Sequence, residues 1–531
     1  MRKIHFALSI LVCGFARAPA QNFVPPTLES FSDARGVPTP VRAWPQLIVS
    51  TPFGTSYQVN VNAAGQNIVG DAANEPSMCM DPNNPRRLAI GWRQFGTVTS
   101  SFRQAGWGYS TNGGVNWTFG GLLETNVFRS DPVLTSDASG NFYYLSLQPN
   151  PQFHNDLWKS TNGGMNWQKL GEAVGGDKAW MVIDTTSVAG RNNIYQSWSP
   201  AANPYTNRIF SRSLDLGANW QNPLSIPQIP FWGTLDTGRN GELYLIGWDG
   251  AAFWFNRSIN ATNRTASPTF DLTTQVDLGG SLLFTSNPIN PDGLLGQPWI
   301  AVDRSSGPTR GNLYALCTVT GTGNPANVML ARSTNGGSSW SAPIRINDDS
   351  PIQNAWHWFG TLSVAPNGRV DVCWNDTRSN PNNNISELYY SYSEDGGVSW
   401  VTNRAISPPF NHTLGYPVQR KIGDYMQMIS LDDAACIAYA ATFNDEEDIY
   451  FVRVEQPPIL VAVERIGNKM QLSWNATSGR NYCVQVKNDL NVPWSVSTNL
   501  ACLTATNTVV TAEDQIVSSS GQRFYRVVKQ Q

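Results

Sequence analysis

Short apolar runs recur along the chain at intervals of roughly 45–65 residues, each followed by a turn containing Asp, Asn or Gly and then by a second apolar run. Apolar runs of this length between turn signals predict buried β-strands. Seven units are recognised by the first run of each. These runs cover residues 75–81, 131–137, 178–184, 232–236, 297–303, 359–364 and 424–430.

A second repeat follows five of the seven units. It has the form Ser-x-Asp/Asn-x-Gly-x-x-Trp and stands at residues 110–117, 160–167, 213–220, 333–340 and 393–400. Asp or Asn beside Gly favours a tight turn, because Gly readily adopts positive φ and the Ser and Asp/Asn side chains can bond the turn's own backbone. We therefore predict a structural turn without a catalytic role. The fourth unit has no recognisable copy, and residues 254–270 stand in its place.

Four-stranded units of this period are typical of β-propeller blades. The sequence thus predicts an all-β protein with a seven-bladed propeller, or a six-bladed one as the alternative. The seventh unit ends near Val454 without an outer strand. We expect residues 46–61 to supply that strand, because a closed ring leaves no open sheet edge.

Residues 459–531 alternate apolar and polar positions in short segments, which predicts a small fibronectin-like β-sandwich. Pro457-Pro458 marks the boundary, so the expected domains are a propeller over 21–456 and an accessory module over 457–531. The module's two cysteines, Cys483 and Cys502, could pair in an oxidising compartment. The other cysteines of the mature chain lie in apolar runs and are expected to be buried free thiols; they are Cys79, Cys317, Cys373 and Cys436.

The amino terminus reads as a signal peptide over residues 1–20. Arg2 and Lys3 precede an apolar run, and small residues follow at 18–20. No later stretch is long and apolar enough to span a bilayer. The 531-residue chain has 14% charged residues and a formal charge of −3, so no basic surface indicates a nucleic-acid partner. We expect a secreted monomer, periplasmic or extracellular.

The five turn motifs resemble the Asp-box, or BNR, repeat, and residues 40–455 are therefore similar to the sialidase superfamily of propellers. This resemblance implies a glycosidase that acts from the central pocket. The family's Arg-Ile-Pro motif corresponds to residues 74–77, which read Asn-Glu-Pro-Ser and lack the Arg. The family's nucleophilic Tyr corresponds to Tyr425, which follows Asp424.

Propeller topology places the starts of the inner strands and the loops between second and third strands on one face, where we expect the site. Carboxylate pairs serve glycoside hydrolysis, and aromatic rings stack on sugars. With Tyr425 as nucleophile, the other candidate catalytic residues are Asp131 or Asp177 as proton donor and Glu75. The candidate substrate-binding residues are Arg93, Arg378, Asp376, Trp358 and Asp424. No cofactor is expected, although the acid-rich loop 444–448 could hold calcium.

Three functions stay open at this point. The first is a sialidase-like glycoside hydrolase that acts on extracellular glycans, including anionic ones. The second is a non-catalytic propeller that binds a glycan or a protein through the same face. The third is a polysaccharide lyase, in which Tyr or His removes a proton beside a uronate carboxylate. The missing Arg at residues 74–77 favours the second and third, and the position of Tyr425 favours the first.

Overall fold

The computed structural model describes residue 25 and residues 43–149, 152–186, 189–321, 323–351, 354–380, 382–456, 460–476, 481–489, 491–497, 500, 502–507, 509–515 and 522–529. The expected signal peptide and the Pro457-Pro458 boundary lie outside these residues. Every regular element within them is a β-strand. The described part of the chain contains no helix with the length and hydrophobicity needed to cross a membrane.

Four short strands open the described chain, and the first pairs with the fourth. They are β1 (Ala43–Pro45), β2 (Ile48–Thr51), β3 (Gly54–Gln58) and β4 (Gln66–Ile68).

Six antiparallel meanders of three or four strands then follow in chain order. Sheet 1 contains β5 (Ala72–Asp81), β6 (Asn84–Phe95), β7 (Arg103–Ser110) and β8 (Thr118–Leu122). Sheet 2 contains β9 (Ser130–Ser136), β10 (Phe142–Gln148), β11 (His154–Ser160) and β12 (Gln168–Glu172). Sheet 3 contains β13 (Trp180–Ile183), β14 (Ile194–Ser197) and β15 (Phe210–Ser213).

The next three meanders have four strands each. Sheet 4 contains β16 (Leu235–Thr237), β17 (Leu243–Trp248), β18 (Phe253–Ser258) and β19 (Leu272–Val276). Sheet 5 contains β20 (Trp299–Val302), β21 (Leu313–Thr320), β22 (Ala326–Ser333) and β23 (Ile344–Arg345). Sheet 6 contains β24 (His357–Val364), β25 (Val370–Asp376), β26 (Glu387–Ser393) and β27 (Arg404–Ala405).

Sheet 7 joins the two ends of this region. It contains β28 (Gln427–Leu431), β29 (Ala434–Ala441) and β30 (Asp448–Glu455), and β3 and β2 complete it on the outer side. Tyr57 pairs with Phe451 across the β3–β30 contact. The prediction that residues 46–61 supply the missing outer strand is therefore confirmed.

The first strands of the sheets form a closed cycle of contacts. Each of β5, β9, β13, β16, β20 and β24 contacts the first strand of the next sheet, and β28 contacts β5. Small meander sheets arranged in this way match a β-propeller-like fold. Aromatic side chains fill the middle of the cycle, where the Trp180 ring lies 5.0 Å from Trp299 and 5.5 Å from Tyr425.

The five turn motifs adopt the same structure. In the first copy, the Ser110 hydroxyl donates to Asn112 Oδ1 at 2.9 Å and accepts from the Gly114 N–H at 2.9 Å. The other four copies repeat both bonds. Sheet 4 keeps a remnant, because Ser258 donates to Asn260 at 3.0 Å. These bonds satisfy the turn itself, as expected of a structural motif.

The carboxyl-terminal residues form two further small sheets. Their strands are β31 (Leu460–Ile466), β32 (Lys469–Asn475), β33 (Asn481–Lys487), β34 (Ser495–Val496), β35 (Leu503–Thr504), β36 (Val509–Gln515) and β37 (Phe524–Lys529). A disulfide joins Cys483 and Cys502, as predicted. The other four cysteines named above are buried free thiols, also as predicted.

Candidate functional site

Several first strands begin with a backbone conformation that L-residues rarely adopt. Positive φ occurs at Glu75 (52°), Asp131 (45°), Lys178 (52°), Trp232 (58°) and Phe359 (59°). Strand pairing shifts register beside three of these residues. Each such residue costs about 1–3 kcal/mol and persists only where its surroundings fix it, which is a common property of functional sites. The residues with positive φ thus lie at the same end of the first strands, on one side of the closed cycle.

Titratable side chains converge at this end. We call the group formed by Glu75, Arg93, Asp131, Asp177, Lys178, Lys421 and Asp424 the central charge cluster. Lys178 lies at its centre, with Nζ 2.7 Å from Asp424 Oδ2 and 3.2 Å from Asp131 Oδ1. The same atom is 3.8 Å from Glu75 Oε1 and 4.0 Å from Asp177 Oδ1. Sheets 1, 2, 3 and 7 therefore meet through one ammonium group.

Two further cations complete the cluster. Lys421 Nζ lies 2.6 Å from Asp424 Oδ2 and 3.5 Å from Glu75 Oε1. Arg93 Nε lies 3.3 Å from Glu75 Oε2 and donates to Asn74 Oδ1 at 2.6 Å. Arg103 lies nearby and interacts electrostatically with three of the carboxylates. Glu75 thus connects the first sheet to the segment that enters the last one.

The four carboxyl groups of the cluster divide into two electrostatic classes. Burial raises the pKa of Glu75 and of Asp177 to about 7, although the neighbouring cations oppose the rise. Burial also acts on Asp131 and Asp424, but Lys178 and the other cations outweigh it and hold both pKa values below their usual range. Carboxyl groups whose environments separate their pKa values in this way can divide the roles of acid and base.

Asp177 and Glu75 differ from the other two carboxyl groups in their surroundings. Both are fully buried, and none of their carboxyl oxygens has a hydrogen-bond partner among the described residues. An ionised carboxylate is costly in such a place, so the protonated form is favoured. Asp177 therefore can hold a proton near neutral pH beside a permanently charged ammonium.

Tyr425 lies beside the cluster, but its hydroxyl already forms a hydrogen bond to the backbone. It donates to the Pro132 carbonyl at 2.8 Å, and the ring packs edge-on against Trp180. Burial, with Glu75 and Asp131 nearby, raises the pKa of Tyr425 well above its ordinary value. A tyrosine nucleophile needs a base that takes its proton. The observed hydroxyl bonds a backbone carbonyl instead, so this geometry does not support that role.

Three of the candidate substrate-binding residues lie outside the cluster. Trp358 donates to Ser386 Oγ at 3.1 Å. Asp376 accepts from Trp374 and Arg378, and Arg378 covers the Tyr389 ring at 4.3 Å. These bonds satisfy Asp376 and Arg378 within sheet 6 and its loops. The candidates that do converge are Glu75, Arg93, Asp131, Asp177 and Asp424.

Lys421 was not identified from the sequence. It lies in an irregular segment before β28, and only its place three residues before Asp424 could have indicated a role. Lys178 begins the third of the predicted first runs, and Arg103 begins β7, but the sequence analysis assigned no function to either residue. A cation that pairs with carboxylates from other sheets can be recognised only from the three-dimensional structure, because its partners are distant in sequence.

The loop at residues 444–448 has a structural use. Asp448 accepts from Asn60 and Asn444 at 2.5 and 2.8 Å, and Glu446 accepts from Asn67 at 2.9 Å. These carboxylates tie the N-terminal segment to sheet 7. Among the described residues, no group of three or more His, Cys, Asp or Glu side chains is placed to hold a metal ion.

The whole cluster is covered. Lys178, its most accessible member, has only 6% of its surface exposed. Beside Lys178 is a cavity too small to hold a water molecule, lined by Trp180, Trp232, Leu294, Gln297 and Tyr425. Trp180 also lines a second pocket, with Asp236, Arg304 and Gln427. A ligand can therefore reach the cluster only if the segments above it move.

The chain matches no protein-family model and no curated protein sequence. Solved structures resemble it at low identity. A fungal alcohol oxidase in complex with copper has 10% identity and a TM-score of 0.46, covering 90% of this chain and 92% of its own. An α-L-arabinofuranosidase from Fusarium graminearum has 11% identity and a TM-score of 0.40, covering 78% and 98%. A Trypanosoma rangeli sialidase has 10% identity and a TM-score of 0.35, covering 88% and 83%.

Proposed function

We propose that this chain is a secreted seven-bladed β-propeller with a C-terminal β-sandwich, which acts on extracellular glycans through the central charge cluster. The observation that carries the proposal is the meeting of four carboxyl groups of two electrostatic classes around Lys178. The choice of glycans as the substrate class follows the resemblance of the five turn motifs to the Asp-box repeat of the sialidase superfamily.

Asp177 is the proton donor in this proposal, because burial raises its pKa to about 7 and leaves it protonated near neutrality. Asp131 stays ionised beside Lys178 and serves as the carboxylate that activates water or stabilises positive charge on the sugar. Lys178, Lys421 and Arg93 hold the ionised carboxylates and attract an anionic group of the substrate. Tyr425 positions Pro132, and through it the start of β9.

Purified protein incubated with a panel of neutral, sialylated and uronate-containing glycans tests this function. We expect new reducing ends from at least one glycan and loss of that activity in Asp177→Asn. Asp184→Asn is the matched control, because Asp184 is equally buried and follows the same strand at its other end. Unsaturated uronate products would show a lyase instead. Full activity of Asp177→Asn would refute the assignment of the acid.

A second function is favoured by one observation, namely that every charge in the cluster is buried and pairs within the protein. Such a network could serve only to hold the sheets together, with glycan bound on the outer surface. Calorimetric titration with the same panel separates the two functions. Binding without product, unaffected by Asp177→Asn, would support the non-catalytic propeller.

A further inference from the structure

The connection between sheets 4 and 5 crosses over the central charge cluster. Residues 281–295, which we call the cap segment, form a small irregular hairpin. The Leu295 N–H donates to the Leu283 carbonyl at 3.0 Å, and the Thr285 N–H donates to the Gly293 carbonyl at 2.9 Å. These bonds hold the hairpin together. Its base bonds to Thr320 of β21 through Ser281, and the side chain of Ile289 packs in the core.

The tip of the cap segment binds the opposite side of the cycle. The Asn290 side chain donates to the Gly423 carbonyl at 2.8 Å and accepts from the Ile422 N–H at 3.0 Å. Leu294 N–H donates to Asp424 Oδ1 at 2.8 Å. The cap therefore bonds directly to a carboxylate of the central charge cluster.

An exposed ion pair holds the outer edge of the cap. Asp292 Oδ1 lies 3.2 Å from Arg420 Nη2, and both side chains are exposed to solvent. The backbones of these residues also bond, from the Asp292 N–H to the Arg420 carbonyl at 3.2 Å. Exposed ion pairs of this kind contribute little stability, so the hydrogen bonds made by the two backbone N–H groups provide most of the contact at this edge.

The backbone of the cap segment favours movement at its ends. Gly279 and Gly280 precede it, and Gly296 follows it. Within the hairpin, Thr285 and Ser286 both have positive φ, at 37° and 56°. Non-glycine residues in this conformation are strained, and strained segments between glycines can act as hinges.

The cap also closes the cavity beside the proposed catalytic groups. Leu294 lines that cavity together with Lys178 and Tyr425. Displacement of Leu294 would extend the cavity towards Asp424 and open it to solvent. Such movement also breaks bonds from the Tyr416 hydroxyl to the Ile289 carbonyl at 3.3 Å and from the Arg420 N–H to Asp292 Oδ2 at 2.9 Å. It exposes the buried side chains of Ile289 and Leu294 as well.

We propose that residues 281–295 are a lid that shuts the central charge cluster and opens about its flanking glycines to admit substrate. The purpose that we assign to the opening, the admission of substrate, rests on the proposed function. The movement itself can be measured without any substrate. Asn290 is the latch, because its one side chain bonds two backbone groups of the opposite segment.

Two measurements on the full chain test the lid. Hydrogen–deuterium exchange reports its opening, and acylation of Lys178 and Lys421 by N-hydroxysuccinimidyl acetate, located by mass spectrometry, reports access to the cluster. In Asn290→Ala we expect both to become roughly tenfold faster, since two hydrogen bonds to the opposite segment are lost. Asn263→Ala is the matched control, because Asn263 caps an exposed loop away from the lid.

A cross-linked lid provides the second variant. Asp292→Cys with Arg420→Cys, once oxidised, should suppress acylation of both lysines and any glycan turnover, and reduction should restore both; wild type with reductant is the control. Unchanged exchange and acylation in Asn290→Ala and in the cross-linked protein would overturn the lid. Faster acylation in Asn290→Ala without glycan turnover in any variant would support the lid and refute the proposed function.

Discussion

Replacing Lys178 with Met tests whether the central charge cluster depends on one ammonium group. Lys178 is almost completely buried, and four carboxyl groups, of which Asp131 and Asp424 are ionised, lie within 4.0 Å of its Nζ. Met keeps most of the apolar stem but removes the charge. Removing one partner of a buried ion pair costs about 3–5 kcal/mol, because the opposite charges are left uncompensated. We expect a loss of this size in the free energy of unfolding at neutral pH.

The loss should depend on pH, and its sign follows from the wild-type groups. The pKa values of Asp131 and Asp424 are lowered in the folded protein, with Lys178 as the first cation responsible in each case. Such groups contribute stability above their unfolded value of 3.8, and this contribution is lost as the pH falls through the folded values. Without Lys178 both folded pKa values rise. The difference between wild type and variant should therefore be full at pH ~7.5 and shrink as the pH falls through the folded values, which lie below 3.8, towards pH ~2.5.

Urea unfolding followed by tryptophan fluorescence measures this difference at both pH values. Lys169→Met is the matched control, because Lys169 also pairs with two carboxylates but has 39% of its side chain exposed. Its removal should cost at most about 1 kcal/mol. A loss for Lys178→Met that is below about 1 kcal/mol, or that does not change between the two pH values, would refute the reasoning.

Three further outcomes are expected. Tyr425→Phe should keep glycan turnover within a few-fold of wild type and lower the free energy of unfolding by about 1 kcal/mol, since only the hydrogen bond to Pro132 is lost. A hundredfold fall in kcat at unchanged stability would instead support Tyr425 as the nucleophile. In urea unfolding, Trp117→Ala should lower the free energy of unfolding by about 3–5 kcal/mol, because Trp117 is 5% exposed and packs on Phe451. Trp167→Ala should lower it less, because Trp167 is half-buried. Equal losses in the two variants would contradict this expectation. A chain ending at Gln456 should stay soluble and keep the turnover of the full chain, because β3 already closes sheet 7; an insoluble product would contradict it.

The sequence was most informative where a local pattern determines a local structure. Ser, Asp/Asn and Gly at fixed spacing predicted the turns, and all five copies form the same two bonds. The absence of an outer strand in the last unit predicted the pairing of residues 46–61 with sheet 7. Each of these inferences needed only neighbouring residues or the requirement to close a sheet edge.

The site could be predicted only in part. The repeat identifies the starts of the first strands, and the carboxyl groups that converge stand at these starts. They are Glu75, Asp131, Asp177 and Asp424. Asp376 and Arg378 also lie at a strand end, but local partners in sheet 6 take up their charges. No sequence pattern indicated the contacts of the cap segment, because its partners at residues 420–424 lie far away in sequence. Long-range pairing of single side chains is not encoded in periodicity.

The central charge cluster also joins the first sheet to the last. Gly423 has a φ of 94°, and a Cβ there would lie 2.7 Å from Glu75 Cγ, so the segment entering sheet 7 fits directly against Glu75. Arg93 and Lys421 bind Glu75 from the two sides of this junction. Because the proposed acid–base groups help to close the cycle, they cannot separate to admit a substrate without weakening the fold. Access must then come from a part that contributes less to closure. The cap segment belongs to none of the seven sheets, so its displacement leaves their pairing intact. Its opening must break the bonds of Asn290 and Leu294 to the segment entering sheet 7 and expose the buried side chain of Ile289.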